Sequence, residues 1–139
     1  MEWTQDGFSL SDDPARVDLD AVCALLAQSY WAAHRPREVM ARALAHSICF
    51  SLFDGPSQIG FARVVTDRAT FAWICDVIVA PAHRGRGLGK WMMGVVTDYP
   101  AIRDTQQILR TRDAHSLYAH FGFEVRQCMR RRSPSWRPA

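Results

Sequence analysis

Apolar residues recur along this chain at two different periods, and the switches between those periods divide it into helices and strands. Phe8–Ser11 reads as a short strand, after which Leu19, Val22, Leu26 and Tyr30 recur at helical spacing, with Asp18 or an earlier aspartate placed to cap them. Pro36 suits a first helical turn, and Val39, Met40, Ala43 and Leu44 form a second amphipathic stripe. The character then changes. Residues 48–53 are apolar and aromatic, Asp54-Gly55-Pro56-Ser57 is a turn cluster, and residues 58–66 alternate as the returning strand of a hairpin. Asp67 and Arg68 predict another tight turn, and residues 70–79 are β-branched and aromatic until Pro81 ends the ladder. Three antiparallel strands result.

Further along, Leu88, Trp91, Met92, Val95, Val96 and Tyr99 hold one helical face until Pro100 stops it. Residues 106–111 predict a strand, Asp113 can cap a short helix through His120, Gly122 breaks that helix, and residues 123–129 predict a last strand. The expected order is β-α-α-β-β-β-α-β-α-β.

With 139 residues, 48% hydrophobic and 22% charged, the chain is expected to form one soluble domain over 1–139, which excludes global disorder. The net charge of +3 says little about partners, because Arg130, Arg131, Arg132 and Arg137 crowd the end of the chain, where residues 131–139 read as a loose basic tail. Those arginines, with only Trp136 interleaved, are weaker than the basic surface and stacking platform of a specific nucleic-acid binder. Cys23, Cys49, Cys75 and Cys128 form no CxxC pair and sit in apolar stretches, and the opening MEWTQDGFSL has no basic start or apolar core. Buried thiols in a cytoplasmic protein are the expectation. No run approaches the roughly 20 apolar residues that cross a bilayer, so no membrane partner is expected. His83, His115 and His120 lack metal-ligand spacing and read as surface or capping groups, so no metal is expected.

The chemistry concentrates in Arg84-Gly85-Arg86-Gly87-Leu88-Gly89, a turn leading from a strand straight into a helix. Such a turn gathers unpaired backbone N–H groups at the positive end of the helix dipole, which suits phosphate, and Gly87 and Gly89 would let a ligand approach the backbone closely. A Walker loop is excluded, because Gly85 to Lys90 is too short and Trp91 follows the lysine. A dinucleotide fingerprint is disfavoured by the antiparallel strands before the turn and by Lys90 at the third glycine position. A basic surface turn that merely starts a helix is the plain alternative.

The order of elements and Arg84-x-x-Gly87-x-Gly89 together resemble the GNAT superfamily of acyl-CoA-dependent N-acetyltransferases. The resemblance covers nearly the whole chain and is most specific over residues 76–90 (DVIVAPAHRGRGLGK) and residues 113–123 (DAHSLYAHFGF). It implies an α/β (α+β) fold with a mixed, mostly antiparallel central sheet of about six strands and flanking helices. It implies acetyl-CoA as cofactor, with its pyrophosphate on the amides of Arg84, Gly85, Arg86, Gly87, Leu88 and Gly89, beside Lys90, and its pantetheine arm along Val77, Ile78 and Val79. The strands at 70–79 and 106–111 would splay to admit that arm. Asp113 stands where relatives often carry an asparagine that contacts the cofactor.

The resemblance also assigns Tyr118 as the acid that protonates the departing thiolate. A phenol, with a reference pKa near 10 against about 8.5 for a thiol, can do so, although a tyrosine on a short helix can also simply pack with Leu117 and Phe121. Asp76 interrupts an apolar strand and is either a base for the amine or a structural carboxylate. Regular alternation would put it on the face of Ile74 and Ile78, and a bulge would change that. Tyr30, Trp31, Arg63, Asp67, Phe71 and Trp73 are candidates for the acceptor pocket, as aromatics and a carboxylate around an ammonium, or Arg63 on a carboxylate. The expected reaction is direct attack of a small-molecule primary amine or amino acid on acetyl-CoA in a ternary complex. A non-catalytic acyl-CoA-binding or sensing module is the alternative. Relatives commonly end in two strands, and the residues after Phe123 leave room for one, so a strand is either missing or supplied by a second copy in a homodimer.

Overall fold

The computed structural model describes residues 1–134, and its sheet is arranged by its turns. Asp6 and Gly7 hold left-handed backbone, with φ of 52° and 86°, and fold β1 (Glu2–Gln5) onto β2 (Phe8–Ser11). Gly55 (φ 58°) joins β3 (Ile48–Asp54) to β4 (Ser57–Thr66). The side chain of Asp67 accepts from the amides of Ala69, Thr70 and Phe71 and closes the turn into β5 (Phe71–Val79). These pairings are antiparallel. β6 (Gln106–Leu109) joins β5 in parallel, because α3 (Leu88–Thr97) first carries the chain back along the sheet. The result is a six-stranded, mostly antiparallel sheet in the order β1-β2-β3-β4-β5-β6 with helices packed on it, as expected.

Successive strand residues point to opposite faces, and the core is divided accordingly. Phe50, Leu52, Val64, Ala72 and Ile74 pack with Leu88, Met92, Met93 and Val96 of α3. Cys49, Phe61 and Ile78 pack with Val22, Leu25 and Leu26 of α1 (Leu19–Leu26) and Met40 of α2 (Arg37–Ala45). Asp18 caps α1 by accepting from the Ala21 amide at 3.1 Å.

The structure departs from the expectations in several places. β1 was not foreseen, because three of its four residues are exposed and polar and leave no apolar alternation to read. Tyr30 lies outside α1: the buried Ser29 hydroxyl donates to the Leu26 carbonyl at 2.8 Å and accepts from the Ala32 amide at 3.0 Å, which turns the chain out of the helix. Asp113 does not cap the last helix, α4 (His115–Ala119). Ala114 occupies the cap position and its amide donates to the Thr111 hydroxyl. The expected strand at 123–129 is not formed. Beyond Phe123 no described strand lies alongside, Glu124 and Arg126 pair with each other, and Val125, Cys128 and Met129 are exposed. Cys128 is therefore not the buried thiol expected. Of the tail at 131–139, residues 131–134 carry no regular structure and residues 135–139 lie outside the described residues.

Candidate functional site

The turn between β5 and α3 is built from main chain. Gly85 and Gly87 are left-handed, with φ of 82° and 75°, and Gly87 is the N-cap of α3 without any side-chain cap. No heavy atom lies within 4 Å of where a Cβ would stand on either glycine, so backbone conformation rather than crowding demands glycine there. Gly89 has no positive φ, and a Cβ there would meet only Val79 Cγ2 at 3.9 Å. Left-handedness thus falls on Gly85 and Gly87 and not on Gly89. The first helical bond runs from the Trp91 amide to the Gly87 carbonyl, and among the described residues no acceptor takes the amides of Gly85 through Lys90. Such a row of free donors at the start of a ten-residue helix fits a pyrophosphate. The guanidinium of Arg84 turns back, its Nε donating to the Val79 carbonyl at 2.9 Å, while Arg86 and Lys90 are exposed.

A cleft of about 370 Å³ leads to this turn, lined by Gln28, Ser29, Tyr30, Trp31, Val77, Ile78, Val79, Arg84, Arg112 and Asp113. It exists because β5 and β6 part company. Their pairing stops at Ile74 and Leu109, so the outer edge of Val77–Val79 has no strand against it. A bulge adds to the divergence: Phe61 pairs with Ile78 but Arg63 with Cys75, which leaves Ala62 opposite both Asp76 and Val77. Asp76 is the bulged residue, at φ 54°. Alternation therefore breaks there, with Ile74 on the α3 face and Ile78 on the α1 face. An unpaired strand edge ending at unpaired amides fits an acyl-pantetheine arm, whose amides can extend the ladder.

The bulge also settles the position of Asp76. Its side chain is 0% exposed; Oδ1 accepts from Trp31 Nε1 at 3.1 Å, and Oδ2 accepts from Arg35 Nη1 and Arg63 Nε, each at 2.8 Å. A carboxylate with both oxygens engaged and no solvent contact is not placed to take a proton from an acceptor, so the structural alternative replaces the base. The same contact corrects Arg63, which is committed to Asp76 and to the Ser47 hydroxyl and cannot meet a substrate carboxylate. Burial disfavours its charge, but the hydrogen-bonded Asp76 carboxylate outweighs that and keeps the guanidinium charged. Burial also pushes the thiol of Cys49 up to about 11 and that of Cys75 up to about 12, so both stay protonated thiols.

Asp67, Phe71 and Trp73 are not brought to the cleft. Phe71 stands six positions before Val77, about 20 Å along the strand, and Trp73 four positions before it. Asp67 organises the hairpin turn, where the Thr70 hydroxyl and the turn amides hold its carboxyl well below the usual range. Tyr30 and Trp31 do line the cleft, packed edge to face at 5.0 Å. Tyr30 also crosses toward the β6–α4 loop: its hydroxyl accepts from the Arg112 amide at 2.9 Å, and the Arg112 guanidinium lies 3.9 Å over its ring. Arg112, Arg35, Gln28 and Ser29 were missed, because only long-range contacts bring these loop residues to β5. A separate cavity of about 460 Å³ lies over α3 between Trp3, Trp91 and Tyr99 and shares no residue with the cleft.

Tyr118 sits on α4, half buried, its ring 6.0 Å from Phe123, and no described residue hydrogen-bonds its hydroxyl. Burial first, then the negative potentials of Tyr30 and Asp113, raise its pKa above the ordinary phenol value. Tyr30 and Asp113 line the cleft, whereas Tyr118 is not among its lining residues and packs against the core cluster that holds α3. Asp113, exposed beside Arg112 at 3.5 Å, is at the cleft wall without capping α4.

Comparison with known proteins agrees with this fold: the family described as Acetyltransferase (GNAT) domain matches residues 45–125. The chain belongs to the GNAT family of acetyltransferases. A solved GNAT-family protein from Xanthomonas campestris pv. campestris is 37% identical, with 94% of this chain and 96% of that one covered and a TM-score of 0.87. An acetyltransferase-family protein of Gibberella zeae is 31% identical over 85% of this chain and 79% of its own length. Histone acetyltransferase TAP1 of Glycine max is 34% identical over 85% of this chain, which spans 55% of that relative.

Proposed function

We propose that the chain transfers an acetyl group from acetyl-CoA to a primary amine of a small molecule or amino acid, by direct attack in a ternary complex. The observation that carries this reading is the cleft along the open edge of Val77–Val79, which reaches Arg84 at the start of the turn whose amides from Gly85 through Lys90 find no acceptor among the described residues. Acetyl-CoA, when bound, supplies a thioester-activated acetyl group. The turn amides would hold the pyrophosphate, and an amide of Val77–Val79 would meet the thioester carbonyl, where a fixed donor stabilises developing negative charge. Tyr30 and Trp31 wall the acceptor side, where aromatic faces favour an amine. Tyr118 keeps its proton across neutral pH because burial raises its pKa, and would give it to the departing thiolate, while the proton released by the attacking nitrogen would pass to water.

Tyr118→Phe tests the assignment. Turnover is expected to fall by about 10² to 10⁴-fold, the usual worth of a general acid, with acetyl-CoA affinity unchanged. A wild-type protein that binds acetyl-CoA yet acetylates no member of an amine panel would instead be the non-catalytic acyl-CoA module. The panel includes a lysine peptide, since the Glycine max relative is named for histone acetylation. Four free cysteines support a reducing, cytoplasmic setting, and no helix among the described residues is long and apolar enough to cross a membrane. The homodimer proposal rests on the outer edge of β6, which no other described strand pairs, and on residues 124–134, which join no ladder among the described residues. Light scattering is expected to give a dimer, and a monomer at working concentration would remove this part of the proposal.

A further inference from the structure

The contacts of Asp76 reach further than one ion pair. Its carboxylate collects donors from two parts of the chain: Trp31 and Arg35 from the loop between α1 and α2, and Arg63 from β4. Each donor is tied onward. Arg63 Nη1 donates to the Ser47 hydroxyl at 3.2 Å, just before β3, and Arg35 Nη1 lies 3.1 Å from the Met40 sulfur on α2. The carboxylate itself springs from the left-handed bulge that sets the parity of Val77, Ile78 and Val79. One side chain therefore joins the two walls of the cleft, the strand edge on one side and the Tyr30–Trp31 loop on the other.

Resting on the transferase reading above, we infer that Asp76 is a positioning residue: through Arg35, Arg63 and Trp31 it fixes the acceptor-side loop against the bulged strand. Two properties of the residue type are used at once. Asp tolerates φ > 0 better than other non-glycine residues, because its short polar side chain can bond locally. Its two oxygens also accept from a planar guanidinium fork and an indole together, with the added strength of charge assistance. Neutral Asn satisfies the first requirement and fails the second. Proton transfer to or from Asp76 plays no part, since neither oxygen reaches the cleft.

The test compares Asp76→Asn with Trp31→Phe, which removes one donor, leaves the carboxylate and its arginines in place, and keeps a measurable variant should Asp76→Asn fold poorly. For both, kcat/KM for the acceptor amine is expected to fall about tenfold or more, the scale of one lost charge-assisted hydrogen bond. The acetyl-CoA dissociation constant should stay within about threefold, since the turn amides are untouched by either change. The acid limb of the pH–rate profile should keep its position in Asp76→Asn, and its disappearance would make Asp76 the base and overturn the inference. Amide hydrogen exchange supplies a readout independent of turnover. Residues 27–36 should exchange about tenfold faster in both variants while α3 stays protected, as expected of a loop released locally. Unchanged exchange in that loop overturns the inference whatever the kinetics. Absence of turnover in the wild type, with the loop still loosened in both variants, would overturn the proposed function and leave the tether standing.

Discussion

The 84–89 turn and the β5 bulge stand at opposite ends of one short stretch of chain, yet they are made by different means. The turn is solvent-exposed and built from main chain: left-handed glycines, free amides and a helix start, with side chains that contribute little to its shape. The bulge is buried and built from side chains, with one carboxylate, two guanidiniums and an indole drawn from three separate segments. A turn of the first kind binds whatever anion meets its donors. A cluster of the second kind decides how two walls sit relative to each other, and so belongs to acceptor geometry rather than to cofactor affinity.

The sharpest way to break this contrast is to remove the carboxylate outright. Asp76→Ala strands Arg35 and Arg63 beside a missing partner, and the loss of one member of a buried ion pair costs about 3–5 kcal/mol, which urea unfolding would register. A change under about 1 kcal/mol would mean that the pair is no better than an exposed one. Next in size come the glycines, where neighbours should respond with opposite signs. Gly87→Ala forces a Cβ into a left-handed position and costs about 1–2 kcal/mol. Gly89→Ala, inside the first helical turn with only an ordinary contact to Val79, should leave stability unchanged or raise it by about 0.5–1 kcal/mol. Thermal unfolding of the two variants checks this, and equal losses would refute the division between them. The smallest effect concerns pH. Because the folded environment raises the Tyr118 pKa, the phenol keeps its proton through its ordinary range, so kcat should show no fall from this group below about pH 10. A basic limb near pH 8 that vanishes in Tyr118→Phe would contradict it.

The same contrast explains what could be read in advance. Most of what is local was legible: the three central strands, the long amphipathic helix and the glycine turn each lie within one run of residues and obey a periodicity or a turn chemistry, whereas the polar hairpin strand β1 offered no period to read. The cleft wall at Val77–Val79 and the aromatic pair Tyr30–Trp31 were also found. Non-local features were not. Arg35 and Arg112 look like ordinary surface arginines until Asp76 and Tyr30 are brought to them. Phe71 and Trp73 have the aromatic character of a pocket, but strand geometry sets them too far along β5 to reach it. Residues 124–129 are strand-like but have no pairing neighbour among the described residues, since a ladder needs two strands and a sequence pattern describes one. Ser29 shows the converse, where a single hydroxyl ended a helix that periodicity alone extended through Tyr30.

The most direct measurement is a thermal-shift titration of the purified protein with acetyl-CoA, with free CoA and ATP as controls. A ligand at 100 times its dissociation constant adds about 2.7 kcal/mol, and the expected result is a saturable rise of several degrees with both CoA species and little with ATP. No shift with either CoA species would contradict the assignment of the 84–89 turn and the open β5 edge as an acyl-CoA site.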